Sequence, residues 1–347
     1  MDLKDRIRAF SELGRVLRLT ASGEHDTTGE TLIRLIENQQ FSNAWFTPEN
    51  VRQAICALGE KLTTSNLEKW TGSYPGLKEI TTPLSVAVIM AGNIPLAGFH
   101  DMLSVLISGN NLVVKTSSKD PDLIREIINI LVRIEEGFSN CVKLADESLT
   151  GFDSVIATGS DNSSRYFEYY FGRYPHIIRK NRNSIAILDG SETGDEIEKL
   201  GHDVFSYFGL GCRNVSKVYI PDGYDPGNLI RCWERFSGIA GHQKYANNLD
   251  YNKAVYLVNR VSFLDGGFLL LKEDKLISSP IGVLFFEHYG NMEKLLDNLG
   301  TKMDKIQCIV GRNHTGFGDA QRPDLWDYAD NADTLDFLLK KNMSGIL

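Results

Sequence analysis

The chain has few cysteines and no obvious pairing among them. Five occur in 347 residues: Cys56, Cys141, Cys212, Cys232 and Cys308, an odd number, widely scattered and without a CxxC pair. That excludes a disulfide framework or a cysteine-rich zinc site as the organising device, and makes reduced thiols in a cytoplasmic protein the expectation. No metal site is expected. No stretch approaches the roughly eighteen apolar residues of a membrane span. The N-terminal MDLKDRIRAFSELGRVL carries charges at helical spacing where a signal peptide has an apolar core. Basic charge is in short supply too. Lys and Arg total 37 against 45 Asp and Glu, a formal net charge of −8, which argues against a protein that wraps nucleic acid. Internal repeats, low-complexity tracts and long Pro/Ser-rich linkers are also missing.

What remains is an ordinary globular composition, 42% hydrophobic and 24% charged, at a length that suits about two domains. Residues 1–80 read as helical. Leu3, Ile7, Phe10 and Leu17 share one helix face with Leu13 at its edge, and Thr47-Pro48-Glu49 is a helix start with Trp45 and Phe46 as a hydrophobic staple. The pattern then alternates. Strands are expected at Leu84–Ala91, Asn111–Thr116, Val142–Ala145 and Asp153–Thr158. Helices fall near Pro95–Ser108, after Asp120-Pro121 and after Gly159-Ser160. Such alternation predicts βαβ units and a Rossmann-type parallel sheet over residues 81–190. A strand at Ile185–Leu188 and a helix with Ile197, Leu200, Val204 and Phe208 on one face follow, ended by Gly209-Leu210-Gly211-Cys212. A β-rich run through Val215, Val218 and Ile220 comes next, then helices near 226–250 and β-rich runs at 253–259 and 267–271. A strand at Gly282–Phe286, a helix at Met292–Leu299 and a strand at Ile306–Val310 complete a second α/β domain, 191–330, before a C-terminal tail, 331–347.

Cys212 stands apart by context. It sits at a glycine-rich break between helix and strand, where a side chain can project into a cleft, and Arg213 beside it favours the thiolate. On local context alone a small structural thiol is the alternative, and Cys56, Cys141 and Cys308 read that way.

Four segments, in this order, resemble the aldehyde dehydrogenase superfamily, specifically its LuxC-like acyl-CoA reductase branch. Pro83–Val86 through Ala91-Gly92-Asn93-Ile94-Pro95-Leu96 resembles a strand followed by an Asn-aromatic-Pro turn. Gly109–Lys115 resembles the "GN-x-VV-K" strand, Thr158-Gly159-Ser160 the "TGS" turn, and Gly209–Cys212 the "GQ-x-C" nucleophile turn. Ser279–Val283 and Gly316-Phe317-Gly318-Asp319 are weaker matches. The resemblance implies an aldehyde-dehydrogenase-like α/β fold, with a cofactor domain and a catalytic domain. It also implies Cys212 as nucleophile and the Asn93 carboxamide with the Cys212 N–H as oxyanion donors. Lys115 is then the ribose contact, and Gly159 and Ser160 seat a pyrophosphate at a helix N-terminus. A plain turn residue at Asn93 and a solvated strand end at Lys115 are the alternatives.

The departures from the pattern are more telling. Superfamily members that oxidise aldehydes carry a water-activating glutamate five residues before a "KSP"-like serine; matching that serine to Ser184 puts Arg179 in its place, and residues 176–182 hold no acid. His176 is a candidate acid/base for the leaving thiol, with a solvated or packed ring as the alternative; His202 is a lesser candidate. The cations Arg173, Arg179, Lys180 and Arg182 read as a solvated face or as contacts for coenzyme A phosphates. Ser118 stands where a carboxylate that repels a 2′-phosphate is expected, with Ser117 and Lys119 beside it. NADPH is therefore expected, and NADH is the alternative. Leu276 replaces a late ribose-binding glutamate. The expected activity is NADPH-dependent reduction of an acyl-CoA, fatty in type, to the aldehyde. The alternatives are an aldehyde dehydrogenase, an acyl-phosphate reductase, and a non-catalytic scaffold or acyl-transfer subunit. A homodimer is expected, with acyl-transfer or ligase subunits as further partners.

Overall fold

The computed structural model describes residues 1–24, 28–78, 82–145 and 149–344. The chain forms two compact units, Met1–Asn181 with Asp324–Leu347, and Arg182–Pro323. The sequence boundary at 80/81 lies outside the described residues. The second unit begins at 182 rather than 191, because the strand that follows Arg182 pairs with its sheet. Residues 324–344 return to the first unit.

In the first unit, α1 (Leu3–Ser22) starts where the Asp2 carboxylate accepts the Asp5 amide at 2.8 Å, and ends at Gly23 with φ 84°. Leu13 lies at the centre of the buried face rather than its edge, because Ala9 and Val16 widen that face. The helices α2 (Glu30–Ser42), α3 (Pro48–Lys61) and α4 (Thr64–Gly72) pack around it. Thr47 caps α3 with Pro48 in its first turn, as expected, and Phe46 beside them is fully buried. Phe10, Leu17, Leu32, Ile36, Ile55 and Leu67 belong to one core that continues onto the sheet.

That sheet is built from β1 (Ser85–Ile89), α5 (Phe99–Ile107), β2 (Asn111–Lys115), α6 (Asp122–Ile134), β3 (Val142–Leu144), β4 (Ser154–Thr158), α7 (Asp161–Phe171) and β5 (His176–Arg179). All its strands are parallel, in the order β3-β2-β1-β4-β5. The apolar run of β1 is buried on both faces: Val86 and Val88 join the large helical core, whereas Ala87 and Ile89 meet Val155, Ala157, Phe167 and Phe171 on the α7 side. The C-terminal helix Thr334–Ser344 adds Leu335 and Leu338 to the larger core.

The second unit contains β6 (Asn183–Ile187), α8 (Gly194–Phe205), β7 (Val215–Pro221), α9 (Gly227–Cys232), α10 (Gln243–Val258), β8 (Leu264–Asp265), β9 (Leu270–Glu273), β10 (Val283–Tyr289), α11 (Met292–Gly300) and β11 (Ile306–Val310). Its sheet runs β11-β6-β7-β10-β9-β8, with only β8 antiparallel among the described residues. Two expectations are corrected. The run 253–259 is the end of α10, whose Leu257 and Val258 are exposed; its β-branched, apolar composition imitates a strand. Helix α8 stops at Phe205, before Phe208, because the backbone turns left-handed at Tyr207.

Asp203, near the end of α8, is fully buried, and its carboxylate accepts the Gly318 amide at 2.7 Å and the Ala320 amide at 3.0 Å. Burial pushes its pKa up to about 7, against the pull of those amides. The folded protein thus holds a proton that the unfolded chain, with an ordinary carboxyl near 3.8, has released. The stabilisation is complete below that lower value and lost as pH rises through about 7. The thermal midpoint should therefore fall between pH 5 and 8, and Asp203→Asn should flatten that slope. An unchanged slope in the variant would count against the assignment.

Candidate active site

In the first unit the sequence-predicted cofactor residues gather at one edge of the sheet. Ile89 of β1 pairs with Lys115 of β2 and Ala157 of β4, so the turns at Asn93, at Lys115–Lys119 and at Thr158–Ser160 all leave the carboxyl ends of adjacent parallel strands. The strand order reverses direction between β1 and β4, which makes the crevice above them the switch point where open α/β sheets bind ligands. Lys115 and Ser117 are half-buried, and Asn93, Ser118 and Lys119 are exposed. Ser160 caps α7 by accepting the Ser163 amide at 3.3 Å. A Cβ on Gly159 would sit 2.8 Å from both Phe167 and Ser163, so the turn lies close against its helix.

Cys212 is exposed in the second unit, but its backbone is anchored. After α8, Tyr207, Phe208 and Gly209 all take left-handed backbone angles, φ 52°, 58° and 76°. For the two aromatic residues this costs about 1 kcal/mol or more each. Buried Asn214 offsets that cost. Its Nδ2 donates to the Ser206 carbonyl at 2.8 Å and the Asp203 carbonyl at 3.1 Å, and its Oδ1 accepts the Gly211 amide at 2.8 Å. One side chain therefore satisfies the open carbonyls at the end of α8 and fixes the glycine next to Cys212. On the other side, Ser184 Oγ donates to the Cys212 carbonyl at 3.0 Å and accepts the Cys308 amide at 3.3 Å, tying the turn to β6 and β11. Phe208 lies against the His242 ring, centroids 4.2 Å apart.

The two candidate histidines have partners of their own. His176 opens β5, three residues before Arg179, which pairs with Thr158. It therefore lies about 10 Å back from the carboxyl edge. Its Nδ1 is 2.8 Å from the Tyr174 carbonyl oxygen and its Nε2 is 3.7 Å from Glu168. His202 packs edge-on against Phe236. The solvated reading of Arg179 is corrected: it is 3% exposed and forms a two-pronged pair with Asp101, at 2.8 and 3.3 Å. It also donates to Thr334 Oγ1 at 2.9 Å and to the Ala329 carbonyl. The position matched to the water-activating acid thus holds a cation committed to internal partners. Among the described residues no group of His, Cys, Asp or Glu could hold a metal ion, and no helix is long and apolar enough to cross a membrane.

Sequence reasoning missed Asn214 and Ser184 as supports of the cysteine turn. The motif match at Ser184 points to no supporting role, and an asparagine two residues after the cysteine carries no signal of its own. Asn214→Ala should lower unfolding free energy by about 1–3 kcal/mol in urea titrations. Asn214→Asp should cost more, since it turns a carboxylate towards carbonyl oxygens. A more stable aspartate variant would contradict the donor role.

Comparison with known proteins identifies the fold and the family. Residues 23–232, more than half of the chain, match the family model described as acyl-CoA reductase (LuxC). A long-chain acyl-protein thioester reductase of Aliivibrio fischeri is 24% identical over 56% of this chain and 44% of its own length. The chain spans about half the length, or less, of the curated relatives it matches. Among solved structures, aldehyde dehydrogenase 21 from Physcomitrella patens, in complex with the product succinate, superposes with a TM-score of 0.66 at 11% identity. That match covers 98% of this chain and 84% of the other. A Mycobacterium tuberculosis aldehyde dehydrogenase complexed with NAD+ gives 0.57 at 14% identity, over 83% and 70%. The fold is that of the aldehyde dehydrogenases, and the chain belongs to the acyl-CoA reductase (LuxC) family.

Proposed function

We propose that this chain reduces a fatty acyl thioester to the aldehyde through an acyl-enzyme on Cys212, with NADPH as hydride donor. The observation that carries the proposal is Arg179, buried and paired with Asp101 at the position matched to the base that activates water. Without that base, hydrolysis of an acyl-enzyme is slow, whereas exchange between thiols needs no activated water.

The Cys212 thiolate attacks the thioester carbon, a new C–S bond forms, the C–S bond to the carrier breaks, and the carrier leaves as a thiolate that takes its proton from solvent. The Asn93 carboxamide and the Cys212 N–H are the proposed donors to the oxyanion. Lys115, Ser117, Ser118 and Lys119 would hold the ribose and its 2′-phosphate, and the Gly159 and Ser160 amides the pyrophosphate. The switch-point crevice and the capped start of α7 suit such a group. Bound there, a nicotinamide dinucleotide would supply the hydride for release of the aldehyde, with Cys212 left as thiolate. The carrier is coenzyme A in the family's description and a protein thiol in the relatives' names, and the chemistry at Cys212 is the same for both. A homodimer, and docking of acyl-transfer or ligase subunits, belong to the same proposal.

The test follows NADPH absorbance and aldehyde with long-chain acyl-CoA and acyl-protein thioesters. Oxidation with at least one of them is expected, none with Cys212→Ala, and a Cys212-bound acyl group by mass spectrometry when NADPH is withheld. No turnover with any acyl thioester, acyl phosphate included as a control, sinks the proposal. Lys119→Ala should raise KM for NADPH about tenfold and leave that for NADH unchanged. A lower KM for NADH in the wild type rules out the 2′-phosphate contact.

A further inference from the structure

We infer that Asp120 is a positioning residue that couples the cofactor loop, residues 116–120, to the turn carrying Asn93, so that a dinucleotide seated on the loop holds the Asn93 carboxamide in place. The inference rests on the function proposed above and adds to it a mechanical link between two parts of the site.

The link is made at both ends of the Asn93 turn. At its start, Gly92 lies so close to the loop that a Cβ there would overlap Ser117 Oγ, 2.7 Å from Ser117 Cβ and 3.1 Å from Lys119 Cβ. At its end, Leu96 holds a left-handed backbone, φ 60°, and donates its amide to Asp120 Oδ2 at 2.8 Å. Leucine rarely adopts that conformation unaided, so an acceptor at this place helps to fix it. Asn93 stands between the two fixed points, and its side chain is exposed at the sheet edge.

The loop is held just as closely. The Asp120 amide donates to the Ser117 carbonyl at 3.1 Å, and the Lys119 amide to Ser117 Oγ at 3.2 Å. From outside, Asn43 Nδ2 donates to the Lys119 carbonyl at 3.3 Å. Asp120 itself is 2% exposed, and besides Leu96 its carboxyl group faces the Leu123 amide at the start of α6. A buried carboxylate with one oxygen committed to a residue 24 positions away does more than shape its own loop. Any shift of Ser117 or Lys119 on binding a ribose phosphate is passed to Gly92 by contact and to Leu96 through Asp120.

The experiment pairs hydrogen exchange with kinetics on the full chain. NADPH should slow amide exchange in the peptide covering residues 91–98 of the wild type, and Asp120→Ala should remove that protection while NADPH still binds. In the same variant kcat should fall about tenfold to a hundredfold with little change in KM for NADPH. Asp120→Asn keeps a carbonyl oxygen for Leu96 and should recover most of both. Gly92→Ala strains the other end of the turn and should lower kcat without touching Asp120, which keeps the test alive if Asp120→Ala does not fold. Equal protection in the wild type and Asp120→Ala overturns the coupling. Wild type that binds no dinucleotide overturns the coupling and the proposed function together. Wild type that binds NADPH with Asp120-dependent protection, yet reduces no thioester, overturns the proposed function alone.

Discussion

The reversal of the chain between Phe205 and Gly209 is the constraint on which the cysteine's surroundings depend. A helix that continued along its apolar stripe would carry Phe208 into the core and place the following glycines elsewhere. Two aromatic residues instead accept left-handed angles, and one buried carboxamide, Asn214, satisfies the carbonyls that the abrupt helix end leaves open. Ser184 then holds the far side of the turn to the sheet. Two buried side chains, one from β6 and one just before β7, therefore hold the backbone of a residue that is itself exposed. Rigid support beneath an accessible side chain fixes its orientation before any ligand arrives, as the role proposed for Cys212 requires.

The first unit works by a different principle. Its carboxyl edge is assembled from three short turns, each with little freedom because a neighbouring turn occupies the space beside it. Gly92 has no room for a side chain, Asp120 takes the amide of Leu96, and Gly159 is pressed against its helix. The charges there are few and local, so a chain of net charge −8 still presents Lys115 and Lys119 on one edge. Arg179 is not part of that positive edge. Its pair with Asp101 adds little net stability once desolvation is counted, but either partner alone would be a costly buried charge.

Much of this was legible in the sequence. Apolar runs bounded by Pro or Gly announced the strands, because a strand covered on both faces needs side chains like those of Val86 to Ile89. The Thr47-Pro48 start and the Ser160 cap were readable because capping chemistry is local. The order of the four motifs conveyed the fold. What failed was information that lives in tertiary packing. The helical spacing of Ile197, Leu200, Val204 and Phe208 was real for three of its four members, and nothing local announces a left-handed backbone at Tyr207. The exposed Leu257 and Val258 looked like strand residues because composition was read without the surface that leaves them in water. Arg179 looked solvated for the same reason: its partners Asp101, Ala329 and Thr334 lie up to 155 positions away. Asn214 and Asp120 are single polar residues whose value depends wholly on what lies opposite them.

The closure of Arg179 on Ala329 and Thr334 also fixes when the first unit can be finished. The chain leaves that unit at Asn181 and comes back only at Asp324. On a ribosome adding roughly 5–20 residues per second, the interval between the two is on the order of ten seconds. Through that time Asp101 and Arg179 have each other but lack the hydroxyl and carbonyl that complete the cluster. Trp70 and Tyr74 likewise wait for Tyr328 and Asp333. The unit begun first is thus the one completed last, and the unit carrying Cys212 is wholly synthesised before its predecessor is sealed.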